Sequence, residues 1–347
     1  MGIRIGLVGY GVGGRWFHAP YIEASDACDL VGVVTRSPAR IESIRDELPG
    51  VPVFGSLSEL IDAGVDAVVI STPPQTRREL VLEAIGRGVA VVADKPFAPT
   101  ADAGAELAAA AQQAGVLLNV FHNRRWDTDV VTARGVLASG ALGDVQRLDL
   151  RFDLDEPQTL EAGPDGGLLR DLGSHVVDQA LDLLGPARAV TAQLDWVDLP
   201  AGRTDASFTI TLDHVSGAHS HVSATKLARI ASRELRLIGT AGSYVSDFRD
   251  VQTASIFAGG RPAGRRETWG FEDEVRWGTL ATAAGRVAVP SAQGDYSRFY
   301  DEFAEAVVSG GPGPVPAVGG IATLRVLDAV RRSAAEGRTV EVGAAQV

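Results

Sequence analysis

The sequence predicts an α/β domain built on a parallel sheet, followed by an α+β domain with a large, open, mainly antiparallel sheet. Three observations carry that prediction. Short β-branched runs alternate with helical stretches from residue 3 to about 121, and the pattern then changes to apolar–polar alternation. The chain of 347 residues also exceeds what one hydrophobic core readily organises. We place the domain break between 121 and 122, giving domains 1–121 and 122–347, and expect the last helix and strand to pack back on the first.

In the first domain the strand candidates are IRIGLVG, DLVGVVT, VPVF, DAVVIST, GVAVVAD and GVLLNVF. Their continuous hydrophobicity suits strands buried on both faces, the environment that crossover helices create. TRRELVLEAIGRG and TADAGAELAAAAQQAG have helical spacing, and Gly88 and Gly115 sit where helix C-caps fall. DTDVVTARGVLASGALG reads as a helix ending at Gly140 or Gly143. DVQRLDLRFDL, AVTAQLDWV and DASFTITLDH then alternate, so that Phe208, Ile210 and Leu212 point one way and Thr209 and Thr211 the other. Ser216 and Gly217 mark a hairpin turn into AHSHVSAT. The stretch 259–294 shows no clear period. GGPGPVP at 310–316 is a linker, before a helix from about Gly320 to Glu336 and a closing strand TVEV.

Lys plus Arg number 32 against 44 Asp plus Glu, a net charge of −12 that repels a nucleic-acid backbone. Cys28 is the one cysteine, which excludes an internal disulfide and a thiolate zinc cluster, and it reads as a small buried hydrophobe. No apolar run is long enough to span a bilayer. The chain enters its first strand without room for a leader, and Gly6 stands where a myristoylation signal wants Ser or Thr. A cytoplasmic protein with neither nucleic-acid nor membrane partners is expected.

GLVGYGVGGRWFHAP contains Gly9-x-Gly11-x-x-Gly14 at the first strand–helix junction. Its glycines serve a tight turn, close approach of a pyrophosphate and helix–strand packing, which points to dinucleotide binding. Val12 in the same loop, with Thr72 and Pro73 at the end of the fourth strand, completes that wall. The second strand ends in Thr35, Arg36 and Ser37, where an NAD enzyme places an acidic residue on the ribose. A guanidinium and two hydroxyls suit a 2′-phosphate, so NADP(H) is preferred over NAD(H). Arg36 as a turn residue stacked on adenine, serving either cofactor, is the alternative.

ADKPF sets Asp94 and Lys95 at the carboxyl edge of the sheet, where open α/β sheets bind ligands. FHNRRWD brings Asn123, Arg124, Arg125 and Trp126 to the same edge, donors and an aromatic wall for a polyhydroxylated substrate or the cofactor's carboxamide. Pairing of the arginines with Asp127 and Asp129 is the competing reading. In GGLLRDLGSHVVDQALDLLG, Asp171, His175, Asp178 and Asp182 fall within about 60° of one line at the helical period. Leu172, Val176, Ala180, Leu183 and Leu184 lie opposite, so the polar stripe is expected to face away from the core. It serves either proton transfer or a solvated face, and Asp171 also suits an N-cap. His219 and His221 share a strand face, but no third ligand accompanies them and no metal site is expected.

GYGVGGRWFHAP, DKP, NRRWD and the helix just quoted, in this order and spacing, resemble the glucose-fructose oxidoreductase, inositol dehydrogenase and rhizopine catabolism (Gfo/Idh/MocA) family, nearest its NADP-dependent scyllo-inositol dehydrogenase branch. The resemblance runs nearly end to end, through GDYSRFYDEFAEAVVSGG to TVEV. It implies a Rossmann domain, then an α+β domain whose open sheet joins subunits into a homodimer or homotetramer. Matched by motif, Lys95 comes from a Glu-Lys-Pro element in which Asp94 replaces Glu, and Asp171 and His175 come from an Asp-x-Gly-x-His element.

The implied reaction moves hydride between nicotinamide C4 and a secondary alcohol of a polyol, sugar or related ketone. His175 takes the hydroxyl proton, Asp171 orients the imidazole and Lys95 donates to the substrate oxygen. Gly173 would let substrate or cofactor approach, and Asp178 would anchor the helix or a substrate hydroxyl. The chain departs from the inositol-acting members between RFDLDEP and GGLLRD, where it is shorter, lacks their Arg-Trp contribution and brings Asp153, Asp155 and Glu156 to the mouth. That widens the substrate class to nucleotide-linked sugars and small ketones. A catalytically silent dinucleotide- or sugar-sensing regulator of the same fold is the competing class, against which Lys95, Asp171 and His175 speak.

Overall fold

The computed structural model describes residues 2–163, 166–247 and 250–343. The chain divides into two compact units. The first takes the chain up to Asn123 with 253–269 and 295–321; the second takes Arg124–Gln252, Gly270–Gly294 and the chain from Ala322 on.

Six strands form the sheet of the first unit: β1 (Ile3–Val8), β2 (Cys28–Val34), β3 (Val53–Phe54), β4 (Ala67–Ile70), β5 (Ala90–Asp94) and β6 (Leu118–Phe121). All pair in parallel, in the order β3-β2-β1-β4-β5-β6. Every residue of β4 and β6 is buried, as the unbroken apolar runs require of strands covered on both faces. The strand order reverses between β1 and β4, so the crevice at the carboxyl ends of those strands is the ligand position of a doubly wound sheet. The helix Ala101–Ala114 begins where Thr100 Oγ1 accepts from Ala103 N–H at 3.2 Å, and it ends at Gly115 with φ +66°. The later helix Ser297–Ser309 joins this unit because its buried Phe299, Tyr300 and Phe303 are an aromatic face, with Phe299 edge-on to Phe121 at 4.9 Å. Cys28 is buried, and burial pushes its thiol up to about 11.

The second unit is a nine-stranded sheet. Its strands are β7 (Val145–Asp155), β8 (Ala187–Leu199), β9 (Gly202–His214), β10 (His219–Thr225), β11 (Leu227–Gly239), β12 (Gly242–Ser246), β13 (Gly278–Thr282), β14 (Gly285–Val289) and β15 (Val340–Glu341). They run in the order β14-β13-β12-β11-β7-β10-β9-β8-β15. The β7–β10 pair alone is parallel. Leu148, Leu150, Phe208, Ile210, Leu212 and Val222 are buried on one face, whereas Thr209, His219 and His221 are exposed on the other. The helices Thr128–Ala138 and Ser174–Leu184 pack on the buried face.

The closing strand pairs with β8, so β15 extends the second sheet. The unreadable stretch 259–294 contains the β13–β14 hairpin, whose outer strand is exposed along nearly its whole length and so carries no apolar alternation. Among the described residues no helix is long and apolar enough to cross a membrane.

Candidate active site

At the end of β1 the chain turns at Gly9 with φ +99°, and its N–H donates to Val34 O at 3.0 Å. A Cβ on Gly9 would lie 2.4 Å from Ser71 O, and one on Gly14 would lie 2.1 Å from Gly9 O. Both positions therefore demand glycine, for packing of β1 against β4 and of the following helix against the turn. In front of Gly11 a Cβ would meet only Arg40 Nη2, at 3.8 Å, so the backbone there is open to a close-approaching group. The loop borders a cavity of about 760 Å³. Of the residues singled out in the sequence, Gly9, Gly11, Val12, Thr35, Arg36, Ser37, Thr72, Pro73 and Asp94 line it together. This backbone cradle, open at Gly11 and closed by packing at Gly9 and Gly14, fits a dinucleotide pyrophosphate.

Sequence reasoning missed four contributors. Gly13 and Ser71 line the same cavity, and a Cβ on Gly13 would strike Ser71 Oγ at 2.6 Å and Asp94 Oδ2 at 2.8 Å. Arg40, one turn into the helix after Ser37, adds a second guanidinium beside Arg36. Its position after the Thr-Arg-Ser end of β2 was the available signal. The cavity's carboxylates, Glu79, Glu83 and Asp94, come from other segments than β2. Arg77 is buried and ties the ends of β4 and β5 together by donating to Thr72 O at 2.8 Å and Asp94 O at 2.9 Å.

Asp94 is tightly held. Its Oδ1 accepts from Lys95 N–H at 2.8 Å and its Oδ2 from Ser71 Oγ at 2.7 Å, with His18 Nε2 at 3.4 Å. Burial would raise this carboxyl, but His18, Arg77 and Ser71 together hold it well below the usual carboxylate range. Tyr300 Oη lies 2.6 Å from His18 Nδ1 and backs the imidazole. The Lys95–Pro96 peptide bond is cis. Lys95 thus follows an ionised, fully engaged Asp94. Asn123 is buried at the start of the turn Asn123–Trp126.

In the second unit the polar stripe of the 166–185 segment is solvated only in part. His175 and Asp178 are buried together with every residue from Ser174 to Ala180. From His175 on the stripe faces side chains, whereas the Asp171 side chain at its start is 47% exposed. Arg125 forms a two-pronged pair with Asp178, Nε and Nη2 each at 2.8 Å from a carboxylate oxygen, and its Nη1 lies 3.2 Å from Asp182. Arg134 Nη2 reaches Asp182 at 2.7 Å and Thr323 Oγ1 donates to Asp178 at 3.3 Å. These contacts anchor the helix, and they engage the guanidinium that the sequence offered to a substrate. Arg124 pairs with Asp127 at 3.0 Å and Asp250 at 2.7 Å, and Trp126 is buried.

Asp171 sits four residues before His175 in a π-helical turn, Leu169–Gly173. The turn is not closed by an N-cap from Asp171. Asp205 Oδ2 accepts from Leu169 N–H at 2.6 Å, while the Asp171 carboxylate accepts from Lys226 Nζ at 2.9 Å. Lys226 stands alone between two alternating strands, a position that reads in sequence as a solvated turn, yet it is 6% exposed. Gly173 needs correction. A Cβ there would face Leu169 Cδ1 at 2.9 Å and Leu327 Cδ2 at 3.6 Å, so the missing side chain makes room for helix packing rather than for a ligand. Asp155 pairs with Arg229 at 3.2 Å, Asp153 is buried, and Glu156 N–H donates to Lys226 O at 3.1 Å. His219 Nδ1 lies 2.9 Å from Asp213 and His221 Nδ1 lies 3.2 Å from Thr211. Among the described residues no group of three or more His, Cys, Asp or Glu could hold a metal ion.

Residues 3–122 match the oxidoreductase family with an NAD-binding Rossmann fold, and 130–245 match the GFO/IDH/MocA C-terminal domain. The chain is 30% identical to the NADP(+) scyllo-inositol 2-dehydrogenase IolW of Bacillus subtilis, across 97% of this chain and 95% of that protein. It is 28% identical to a D-apiose dehydrogenase of Rhizobium rhizogenes, across 91% and 90% of the two chains. Among solved structures, the oxidoreductase YvaA of Bacillus subtilis superposes with a TM-score of 0.90 at 30% identity, covering 98% of both chains.

Proposed function

The chain belongs to the Gfo/Idh/MocA family of NAD(P)-dependent oxidoreductases, and from that premise we propose an NADP-dependent dehydrogenase or reductase acting on a cyclic polyol, a sugar or a sugar derivative. The observation that carries the cofactor preference is the end of β2, where Thr35, Arg36 and Ser37, joined by Arg40, line the cavity without a carboxylate from that strand. Two guanidinium groups and two hydroxyls suit a ribose 2′-phosphate, which a carboxylate would repel. IolW is named for NADP(+), in keeping with this reading.

The bound nicotinamide supplies the hydride acceptor, or in reverse the donor, at C4. The residues of this chain do the rest. His175 takes the hydroxyl proton of the alcohol as hydride leaves, imidazole being the side chain most often used as a general base. Lys95 donates to the same substrate oxygen and stabilises the negative charge developing there. The ionised Asp94, bonded to the Lys95 N–H, fixes the main chain that carries this ammonium. Asp171 holds the substrate and orients the site one helical turn before His175. Asn123 and Arg124 serve the cofactor side and Trp126 the substrate side. In reverse His175 is the acid and a ketone is reduced. The enzyme works in the cytoplasm as a homodimer or homotetramer joined through the exposed face of the nine-stranded sheet.

Titration with NADPH and NADH, followed by a screen of inositols, aldoses and their ketones at saturating cofactor, tests the reading. Tighter NADPH binding with turnover of a polyol or sugar is expected, and replacement of Lys95 or His175 by Ala should lower kcat about a hundredfold or more with the fold intact. Tight cofactor binding without turnover across the panel would make the protein a sensor instead.

A further inference from the structure

We propose that Glu47 is a positioning residue for the cofactor. From the end of the helix Pro38–Glu47 its carboxylate clasps Tyr10 and Arg15, the two residues that bracket Gly11–Gly14, and so holds the glycine loop in the shape that receives a pyrophosphate. This rests on the dinucleotide-dependent dehydrogenase reading and adds to it a residue outside the glycine motif.

Tyr10 stands between Gly9 and Gly11. It is 3% exposed, and its hydroxyl donates to Glu47 Oε2 at 2.8 Å. Arg15 Nε donates to the same oxygen at 2.9 Å, and Arg15 Nη2 donates to Oε1. Both oxygens of one carboxylate are therefore engaged by the two ends of the loop. Burial would raise the Glu47 carboxyl, but Arg15 and Tyr10 outweigh it and hold the group below its ordinary value, so it accepts from both as a carboxylate. Burial and the neighbouring Glu47 push the Tyr10 hydroxyl up, which keeps it a donor. The Arg15 guanidinium also lies over the Trp16 ring, 4.6 Å from its centroid, which narrows its freedom further.

Stability alone is a weak reason for this arrangement. The Arg15 and Glu47 side chains are 35% and 19% exposed, and a pair so open to solvent contributes little to folding. Its value is geometric. Glycine leaves the backbone free, and a loop that must be ordered on binding loses affinity to that ordering. Neither Tyr10, Arg15 nor Glu47 is among the described residues that line the cavity, whereas Gly9, Gly11, Val12 and Gly13 are. The clasp acts through the loop, holding its backbone ready before phosphate arrives. The end of the cavity at Thr35 and Ser37 has anchors of its own: Thr35 N–H donates to Phe54 O at 3.2 Å, and Ile41 N–H donates to Ser37 O at 3.0 Å. Releasing the clasp should therefore be felt by a pyrophosphate and not by a ribose 2′-phosphate.

The test titrates wild type, Glu47→Ala and Glu47→Gln with NADPH and with adenosine 2′-monophosphate, which carries the adenine, ribose and 2′-phosphate without a pyrophosphate. E47A should weaken NADPH about tenfold or more and adenosine 2′-monophosphate by less than about twofold. E47Q, which keeps an acceptor for Tyr10 but not the charge for Arg15, should fall between wild type and E47A. Equal weakening of the two ligands, or unchanged NADPH binding, would make Glu47 structural and overturn the inference alone. If E47A does not fold, Tyr10→Phe, which removes the hydroxyl and leaves the Arg15–Glu47 pair, is read in the same way. A wild type that binds NADH more tightly than NADPH overturns the NADP reading alone, and the comparison is then made between NADH and AMP. A wild type that binds neither dinucleotide overturns both.

Discussion

The glycine loop after β1 and the turn before His175 open their helices alike, each with a π-helical turn, at Gly13–His18 and at Leu169–Gly173. They are secured differently. The loop combines contacts within its own backbone, Gly14 packed against Gly9 O and Arg15 N–H donating to Gly11 O at 2.9 Å, with close packing of Gly9 on Ser71 O that its glycine spacing already signals. The turn is held by side chains from afar: Asp205, 36 residues away, takes the Leu169 N–H, and Lys226, 55 residues away, takes the Asp171 carboxylate. A motif whose restraints lie inside it can be read from its own letters. One whose restraints arrive from other strands cannot.

The largest test of that contrast lies in the Arg125–Asp178 pair, 53 residues apart, which anchors the helix of His175. Arg125→Ala leaves Asp178, 1% exposed, with Thr323 as a weaker partner. Removing one partner of a buried pair costs about 3–5 kcal/mol, so denaturant unfolding should show a loss of that size. A loss below about 1 kcal/mol, as for a surface pair, would return Arg125 to the substrate-contacting role suggested by sequence.

The same contrast explains what was legible. The six parallel strands followed from apolar runs alternating with helical stretches, and Gly9 and Gly11 of the cavity followed from their spacing. The ends of β2, β4 and β5 meet at one crevice because parallel strands all point their carboxyl ends the same way. Helical periodicity located the polar stripe of 166–185 but misjudged its surroundings, since a period reports which residues share a face and not what covers it. Arg125, Arg134 and Thr323 cover it here, and no local pattern announces them. Lys226 and the Tyr300–His18–Asp94 chain stayed hidden for the same reason: each is defined by partners from distant segments.

A smaller effect sharpens the first region. Arg36→Ala should weaken NADPH about tenfold or more while NADH changes little, because hydrogen bonds to a charged group are worth about 1.5–3 kcal/mol. Arg40→Ala should act in the same direction with a smaller loss. Fluorescence titration of both cofactors reads the difference. Equal weakening of the two would make Arg36 a neighbour of adenine and remove the argument for NADP from the end of β2.

The second region offers the subtlest effect, a dependence on pH. Asp129 is 6% exposed at the start of the helix Thr128–Ala138. Burial pushes its carboxyl up from 3.8 to about 7, helped by Asp127 and Glu272 and opposed by Arg233 and by the Val130 N–H it accepts. The folded chain therefore keeps a proton that the unfolded chain has already released. As pH rises from about 4 to about 7 the unfolded state binds fewer protons than the native one, so stability falls across that window. Asp129→Asn carries no such proton. Unfolding free energies of wild type and variant, measured across the window, should diverge in favour of Asn at a slope approaching 1.4 kcal/mol per pH unit, about the value for one proton. Parallel curves would mean that Arg233 outweighs burial and keeps Asp129 ionised in the fold. The cluster of Asp127, Arg124, Arg233 and Asp250 would then include a fully charged Asp129.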